Sequence, residues 1–316
     1  METLHVVACV SNPLRWRSRI VLARAAIADW LKSPAVHVTV VECAFGDRPH
    51  ELADLVGPRL THVPVRATTM AWNKECLMNI GIARLPADAA KVATLDADVH
   101  FRRPSWATDT LAALDLYPVV QPWSTAYDLG PSGEHVALHH SFASLWHAGK
   151  PVVPTNQGKF ATGPNGVYAY PHPGFAWAWK RSILDRIGGL FELGGMGAGD
   201  HHMACGMLGM HHRSLHPQIG PSYRAAVAAW SERATREVNG KLGFVHGTIE
   251  HSFHGRKVDR QYWPRWKMFT EHAFCPVADL KKNSYGVIEF AGNKPNLERA
   301  FDRYLRAREE DVNTLT

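Results

Sequence analysis

The sequence has few cysteines and no long apolar run. Its 316 residues contain five cysteines, an odd number, widely spaced and without a C-x-x-C pair. This pattern argues against a disulfide framework and a cysteine zinc site, and indicates buried reduced thiols in a cytoplasmic protein. Because no run of about 18 apolar residues occurs, we expect no transmembrane helix. The first ten residues lack the basic segment of a secretory signal, so none is predicted.

Composition and charge bound the class of protein. Hydrophobic residues make up 46% of the chain and charged residues 20%, which is typical of a globular protein with a large core. The length allows one large α/β domain or two small ones. The net charge of +6 favours an anionic partner, and a nucleoside diphosphate, a nucleic acid and an anionic membrane surface all qualify. Nineteen histidines and eleven tryptophans are unusual counts, although simple packing is favoured for any single one.

Strand and helix alternate over the first hundred residues. The strand-like segments are His5–Val10, Val36–Val41, Thr61–Val65 and Lys91–Leu95, and the helical segments are Ser18–Lys32, with Ser18 as N-cap, and Trp72–Leu85. This alternation predicts an α/β fold with a mostly parallel sheet flanked by helices. Ligands of such sheets bind beyond the carboxyl ends of the strands. The segments Val10–Arg15 and Asp96–Asp98 are therefore expected at that edge.

The second half of the chain has weaker periodicity. The predicted features are a functional loop over Pro122–Pro173, a strand over Phe175–Trp179, a helix over Ser182–Ile187, a glycine-rich loop over Gly194–Gly199, helical structure over Asp200–Met210 and a closing helix over Asn296–Glu310. Phe175, Trp177 and Trp179 alternate along one strand. Core packing is expected for at least two of them, with stacking on a sugar or acceptor as the alternative.

Two carboxylates separated by one residue follow the buried strand Lys91–Leu95. In β geometry Asp96 and Asp98 point the same way and could face one hard cation or one ribose. Mg²⁺ and Mn²⁺ favour oxygen ligands and often combine one or two carboxylates with substrate phosphates. Such an ion would neutralise charge on a departing nucleoside diphosphate. A solvated turn is the structural alternative, but the position directly after a buried strand favours the ligand site.

Four segments resemble nucleotide-sugar glycosyltransferases of the GT-A fold, of the broad family 2 type found in bacteria and phages. They cover roughly residues 5–210 and read VVACVSNPLRWRSR, WNKECLMNIGIARLP, KVATLDADVHFRRPSW and GFAWAWKRSILDRIGGLFELGGMGAGDHHMACGM. The resemblance implies a Rossmann-like single catalytic domain over 1–316 with a C-terminal metal and acceptor-side extension. It also implies a nucleotide-sugar-binding half (1–105), an acceptor side that completes the metal site (106–270) and a C-terminal helical closure (271–316). A phage-encoded protein would act in the host cytoplasm.

The resemblance also implies roles for individual residues. Metal ligands would be Asp96, Asp98 and His254, with His251 as second choice. Nucleotide contacts would come from Val10, Ser11, Asn12, Arg15, Asn73, Lys74, Asp96, Ala97, Lys257 and Arg260, with Arg265 as a further cation. Substrate contacts would come from Trp177, Gly195 and His201. Asp200 would be the general base, as in inverting members. Many members have Glu-Asp there, whereas this chain has Gly199-Asp200, and an N-cap is the alternative role for Asp200.

The histidine-rich segments leave alternatives open. His251 and His254 could lie in a basic surface loop with packed aromatics. His201-His202 and His211-His212 suggest zinc, but the H-E-x-x-H motif of metallohydrolases is absent, so zinc hydrolysis is disfavoured.

We therefore expect sugar transfer, with inversion, from a UDP-sugar to a hydroxyl acceptor with Mn²⁺ or Mg²⁺. The acceptor stays open. The cluster Arg15–Arg19 permits DNA, for example a hydroxymethylated base in a phage-type genome, and a protein or a glycan is equally compatible. A non-catalytic sugar- or nucleic-acid-binding protein on a transferase scaffold is the second class.

Overall fold

The structure is a computed structural model that describes residues 2–153 and 171–313. Its strands are β1 (Leu4–Ser11), β2 (Val36–Phe45), β3 (Leu60–Ala67), β4 (Lys91–Leu95), β5 (Val99–Phe101), β6 (Val119–Gln121), β7 (Thr125–Leu129), β8 (His135–His140), β9 (Ala176–Lys180), β10 (Leu242–Phe244), β11 (Thr248–His251), β12 (Leu280–Lys282) and β13 (Ile288–Phe290). Its helices are α1 (Arg17–Trp30), α2 (Lys74–Ala83), α3 (Trp106–Leu116), α4 (Phe142–His147), α5 (Arg181–Ile187), α6 (Gly199–Met207), α7 (Pro221–Val238), α8 (Trp266–Glu271), α9 (Pro276–Asp279) and α10 (Pro295–Arg306).

A central sheet of seven strands organises the molecule. Its order is β10-β6-β9-β4-β1-β2-β3. Neighbouring strands are parallel except β9, which is antiparallel to both β4 and β6. The predicted α/β class, with a mostly parallel sheet flanked by helices, is confirmed. The sequence pattern did not reveal the reversed strand β9, because strand direction leaves no mark on hydrophobic periodicity.

Both faces of the central sheet are covered, and this explains its apolar strands. Val6 and Ala8 enter one hydrophobic core while Val7 enters the other. This is the two-residue alternation of side chains along a strand. All five residues of β4 are buried, as expected for a strand packed on both faces. Its end at Leu95 therefore fixes the place where Asp96 and Asp98 leave the sheet.

A second sheet, ordered β5-β11-β7-β8, lies partly within the segment predicted as a functional loop. The loop prediction over Pro122–Pro173 is wrong for its first part, since β7, β8 and α4 lie there. These strands are short and carry polar and histidine residues at buried and half-buried positions, which obscures the apolar alternation in the sequence. Residues 154–170 of the predicted loop lie outside the described residues.

One end of α1 and one end of α10 differ from the ends predicted from the sequence. Helix α1 begins at Arg17 with Trp16 at the N-cap position, so the predicted N-cap Ser18 is wrong. The backbone N–H groups of Arg17 and Ser18 instead donate to the carboxylate of Asp311, at 2.9 and 2.8 Å. The closing helix α10 ends at Arg306, and residues up to Asp311 turn back onto α1.

Several elements were not anticipated from the pattern, among them the 18-residue helix α7 and the hairpin of β12 and β13. No helix in residues 2–153 and 171–313 is long and apolar enough to cross a membrane.

Candidate functional site

A cavity of about 1130 Å³ lies where β1 and β4 end. Its walls include Val10 and Ser11 at the end of β1 and Asp96 to Asp98 after β4. The start of α2, the start of α6 and the segment from His251 to Trp266 also contribute to the lining. This is the edge at which α/β sheets place their ligands.

Three side chains in this cavity form a compact group of potential metal ligands. One atom each from Asp98, His251 and His254 lies within 4.8 Å of the other two. The Oδ2 atom of Asp98 is 3.1 Å from Nε2 of His254 and 3.7 Å from Nε2 of His251. Strand pairing explains the meeting, because His251 on β11 lies opposite Val99 on β5, next to Asp98. We call Asp98, His251 and His254 the ligand triad.

Each imidazole of the ligand triad has a carboxylate behind it. Nδ1 of His251 lies 2.8 Å from Oδ1 of Asp128, and Nδ1 of His254 lies 3.6 Å from Oε2 of Glu310. In both rings Nε2 is thereby left facing Asp98. A carboxylate on the far nitrogen fixes the tautomer and orientation of a metal-binding histidine.

Asp98 supplies the negative charge that a cation site needs. Burial would raise the pKa of Asp98, but His251 and His254 hold it well below its ordinary value. Oδ1 of Asp98 is buried and has no hydrogen-bond partner among the residues described. A divalent cation would supply that missing partner, so the residues present fit a metal. Two imidazole nitrogens in the donor set favour Mn²⁺ over Mg²⁺, since Mg²⁺ prefers oxygen ligands.

Lys74 joins two further carboxylates of the cavity. Its Nζ lies 2.5 Å from Oδ1 of Asp96 and 3.2 Å from Oδ2 of Asp200. Burial would lower the pKa of Lys74, but Asp200 and Asp96 raise it well above its ordinary value. Burial also raises the pKa of Asp96 to about 6. Asp96 therefore faces Lys74 and lies outside the ligand triad. His251, the second choice among the predicted ligands, takes the third place in the triad.

Asp200 lines the cavity as the second residue of α6. Gly199 before it departs from the Glu-Asp pattern, and the structure gives a physical reason. A Cβ atom at position 199 would lie 2.5 Å from Cδ of Glu75. Glu75 is almost fully buried on α2, and burial raises its pKa to about 7. Its carboxylate thus fills the space that a side chain at 199 would need.

The other predicted site residues divide between the cavity and its surroundings. Cavity-lining residues are Val10, Ser11, Asn73, Lys74, Asp96, Ala97, His201, Lys257, Arg260 and Arg265. Asn12 and Arg15 line a neighbouring cavity of about 190 Å³, together with Glu42. The Asn12 amide also holds the backbone N–H and C=O of Trp16, both at 2.9 Å.

Two predicted substrate residues lie elsewhere. Trp177 is buried in the core, where its indole N–H donates to the carbonyl of Pro173 at 2.7 Å. Gly195 packs against Phe269 and Phe274 and has a positive φ of 67°. Phe175 and Trp179 are also buried, although Phe175 reaches the cavity wall and stacks on His172 at 3.9 Å between ring centroids.

The two cations predicted to bind a diphosphate, Lys257 and Arg260, contact residues in or directly behind the ligand triad. Arg260 donates from Nη2 to Nε2 of His254 at 3.0 Å and from Nη1 to the hydroxyl of Tyr262 at 3.3 Å. Lys257 donates to Asp128, which also pairs with His139. Both cations therefore lie beside the ligand triad.

Sequence reasoning missed Asp128, His139 and Glu310. Their partners His251, His254 and Lys257 lie far away in the sequence, so no local motif marks them.

Comparison with known proteins gives similarity in architecture only. No family model matches this sequence, and no curated protein matches it. The chain is similar to the mannosyltransferase PcManGT from Pyrobaculum calidifontis in complex with GDP-Man and Mn²⁺, at 14% identity over 96% of this chain and 72% of that one, with a TM-score of 0.42. It is similar to glucosyl-3-phosphoglycerate synthase from Mycobacterium tuberculosis with Mn²⁺, UDP and phosphoglyceric acid, at 13% identity over 86% of this chain and 76% of that one, with a TM-score of 0.39. It is also similar to S. aureus TarS 1-349 with UDP-GlcNAc, at 12% identity, a TM-score of 0.39, and coverage of 78% of this chain and 58% of that one.

Proposed function

We propose that this chain is a metal-dependent glycosyltransferase that moves a sugar from a nucleoside diphosphate to a hydroxyl acceptor. The observation that carries the proposal is the ligand triad of Asp98, His251 and His254 at the ligand edge of the sheet. A candidate base, Asp200, lines the same cavity. The four resembling segments support the same conclusion, and they suggest UDP as the nucleotide.

The ligand triad would hold one divalent cation, for which the donor set favours Mn²⁺. When bound, the ion neutralises charge on the diphosphate as it leaves the sugar. Lys257 and Arg260 line the cavity beside the triad and would donate charge-assisted hydrogen bonds to phosphate oxygens. Val10, Ser11, Asn73 and Ala97 would contact the nucleotide.

Asp200 would act as general base. Its carboxylate accepts from Lys74 Nζ at 3.2 Å, and this contact holds it at the cavity wall. It would take the proton of the acceptor hydroxyl as that oxygen bonds to the anomeric carbon and the bond to the diphosphate breaks. Attack from the side opposite the leaving group inverts the configuration. An Asp200→Asn enzyme with the full transfer rate would remove Asp200 from the mechanism.

An aromatic rim next to the ligand triad suits an acceptor with a ring face. All eleven tryptophans lie in the described residues, and Trp263 is the exposed one, at 52%. His216 supports its indole at 4.8 Å between ring centroids. Tyr262 beside it contacts Arg260, which in turn contacts His254. We place the acceptor, preferably a glycan, against this rim.

A DNA acceptor has weaker support. Arg19, part of the basic cluster that permits DNA, is engaged by the buried carboxylate of Glu310 at 2.6 Å. Binding to hydroxymethylated DNA that weakens steeply with salt would instead support DNA as the acceptor.

Release of UDP from a panel of UDP-sugars, with Mn²⁺ and after chelation, tests the proposal. The wild type should hydrolyse at least one donor only with metal, and Asp98→Ala should lose this activity. Asp47→Ala, at an exposed position outside the cavity lining, is the control. Equal rates in Asp98→Ala and wild type would contradict the proposal. Tight sugar-nucleotide binding without turnover of any donor would support the non-catalytic alternative.

A further inference from the structure

The chain end after α10 is built into the candidate site. Residues 308–311, here called the C-terminal strap, run between α1 and the ligand triad. Asp311 accepts from the first N–H groups of α1, and the Ser18 hydroxyl donates to the carbonyl of Glu310 at 3.0 Å. The guanidinium of Arg308 lies 5.2 Å from the ring centroid of Trp72, which lines the cavity.

Glu310 is the buried centre of the strap. Its side chain is 1% exposed and accepts from Arg19 at 2.6 and 2.8 Å and from Arg308 at 2.6 Å. Burying a carboxylate is costly unless charged partners compensate for the lost water. Two arginines meet that requirement here. Arg19 also donates to the carbonyl of Ser11 at the end of β1, so Glu310 is tied to the nucleotide side of the cavity.

The strap also packs closely against the loop that carries His254. A Cβ atom on Gly255 would lie 3.0 Å from the carbonyl oxygen of Glu309 and 3.1 Å from that of Arg308. Gly255 has a positive φ of 82°, so glycine is favoured here for both conformation and close approach. The strap therefore packs directly against the backbone that follows His254.

Nδ1 of His254 faces the carboxylate of Glu310. This nitrogen is buried and makes no hydrogen bond within the described part of the chain, and Oε2 of Glu310 lies 3.6 Å from it. If Nε2 of a neutral imidazole binds a cation, the proton must sit on Nδ1. That proton then needs an acceptor, and a carboxylate in this place is the usual one.

We propose that Glu310 is a positioning residue of the cation site, holding His254 with Nε2 toward Asp98. The inference rests on the proposed function, because it concerns the same ligand triad. It predicts that the C-terminal strap, far from any recognisable motif, is needed for metal binding. Its role parallels that of Asp128, which lies behind His251.

The test is Mn²⁺ affinity, measured from the electron paramagnetic resonance signal of free Mn²⁺ in the presence of UDP. Glu310→Gln should weaken Mn²⁺ binding by about 10- to 100-fold. The matched control is Glu232→Gln, because this glutamate is exposed on α7 and lies outside the lining of the cavity. This control should bind Mn²⁺ as the wild type does.

Wild-type affinity in a folded Glu310→Gln protein would overturn the inference. If that variant does not fold, Glu310→Asp decides, since it keeps the charge for both arginines but shortens the reach toward His254. Weakened Mn²⁺ binding by folded Glu310→Asp supports the positioning role, and unchanged binding overturns it. A wild-type protein that binds no Mn²⁺ would overturn the proposed function and this inference with it.

Discussion

Oδ1 of Asp128 lies 2.8 Å from Nδ1 of His251, on the side of the imidazole ring away from Asp98. The two residues come from neighbouring parallel strands, β7 and β11, and stand opposite each other in the register. Sheet pairing thus orients the histidine before any ligand arrives. The contact turns an isolated aspartate in a strand into a supporting residue of the ligand triad.

Replacing Asp128 should therefore weaken metal binding. An Asp128→Asn variant keeps the shape but removes the charge that orients His251, and should lose about 10- to 100-fold in Mn²⁺ affinity. Glu134→Gln, an exposed position in the turn between β7 and β8, is the control for titration calorimetry with MnCl₂. An Asp128→Asn protein with wild-type affinity would mean that the Asp128 charge does not support metal binding by His251.

Lys74 should couple Asp96 and Asp200 energetically. All three side chains are less than one-third exposed, so Lys74→Met should lower the free energy of unfolding by about 3 kcal/mol. In the double variant with Lys74→Met and Asp200→Asn, the loss of unfolding free energy should be roughly 1 kcal/mol smaller than the sum of the two single losses. Urea denaturation of wild type, both single variants and the double variant gives this difference. Strict additivity would show that the ion pair contributes nothing.

Gly199 should tolerate a side chain only when Glu75 is shortened. Gly199→Ala places a Cβ atom against the Glu75 carboxylate and should cost about 1–3 kcal/mol by overpacking. In a Glu75→Ala background the same substitution should cost much less, because the occupied space is vacated. Thermal unfolding of the four proteins tests this. An equal cost in both backgrounds would exclude Glu75 as the reason for glycine.

Much of the fold was predictable because its signal is local. The segment Lys91–Leu95 is a strand with the predicted bounds, since its short apolar run ends directly at Asp96. Helix α2 likewise follows from its amphipathic pattern. By contrast, β7 and β8 were predicted as loop, because polar side chains interrupt the alternation of apolar residues along both strands.

The candidate site was predictable where a short motif of the sequence resembles one of the GT-A glycosyltransferases. Asp98 and His254 were expected to share a metal, and the structure brings them together, although their role stays a prediction. Asp128 and Glu310 could not be found in this way. Each acts on a histidine brought near only by long-range pairing of strands or by the return of the chain end.

Trp263 should matter for the acceptor. Trp263→Ala should reduce the stimulation of UDP release by oligosaccharide acceptors by about tenfold, or about 1.4 kcal/mol of binding. Tyr285→Ala, another exposed aromatic but outside the cavity lining, is the control. Acceptor kinetics over a set of soluble oligosaccharides provide the measurement. Unchanged stimulation in Trp263→Ala would place the acceptor elsewhere in the cavity.

Anomalous diffraction at the manganese edge, from crystals grown with MnCl₂ and UDP, tests the central claim most directly. The account predicts one strong peak within coordination distance, about 2.0–2.3 Å, of the Asp98 carboxylate and of Nε2 of His251 and His254. The UDP phosphates should complete the coordination. A peak bound by Asp96 without either histidine, or UDP bound in the cavity with no metal between its phosphates and Asp98, would contradict it.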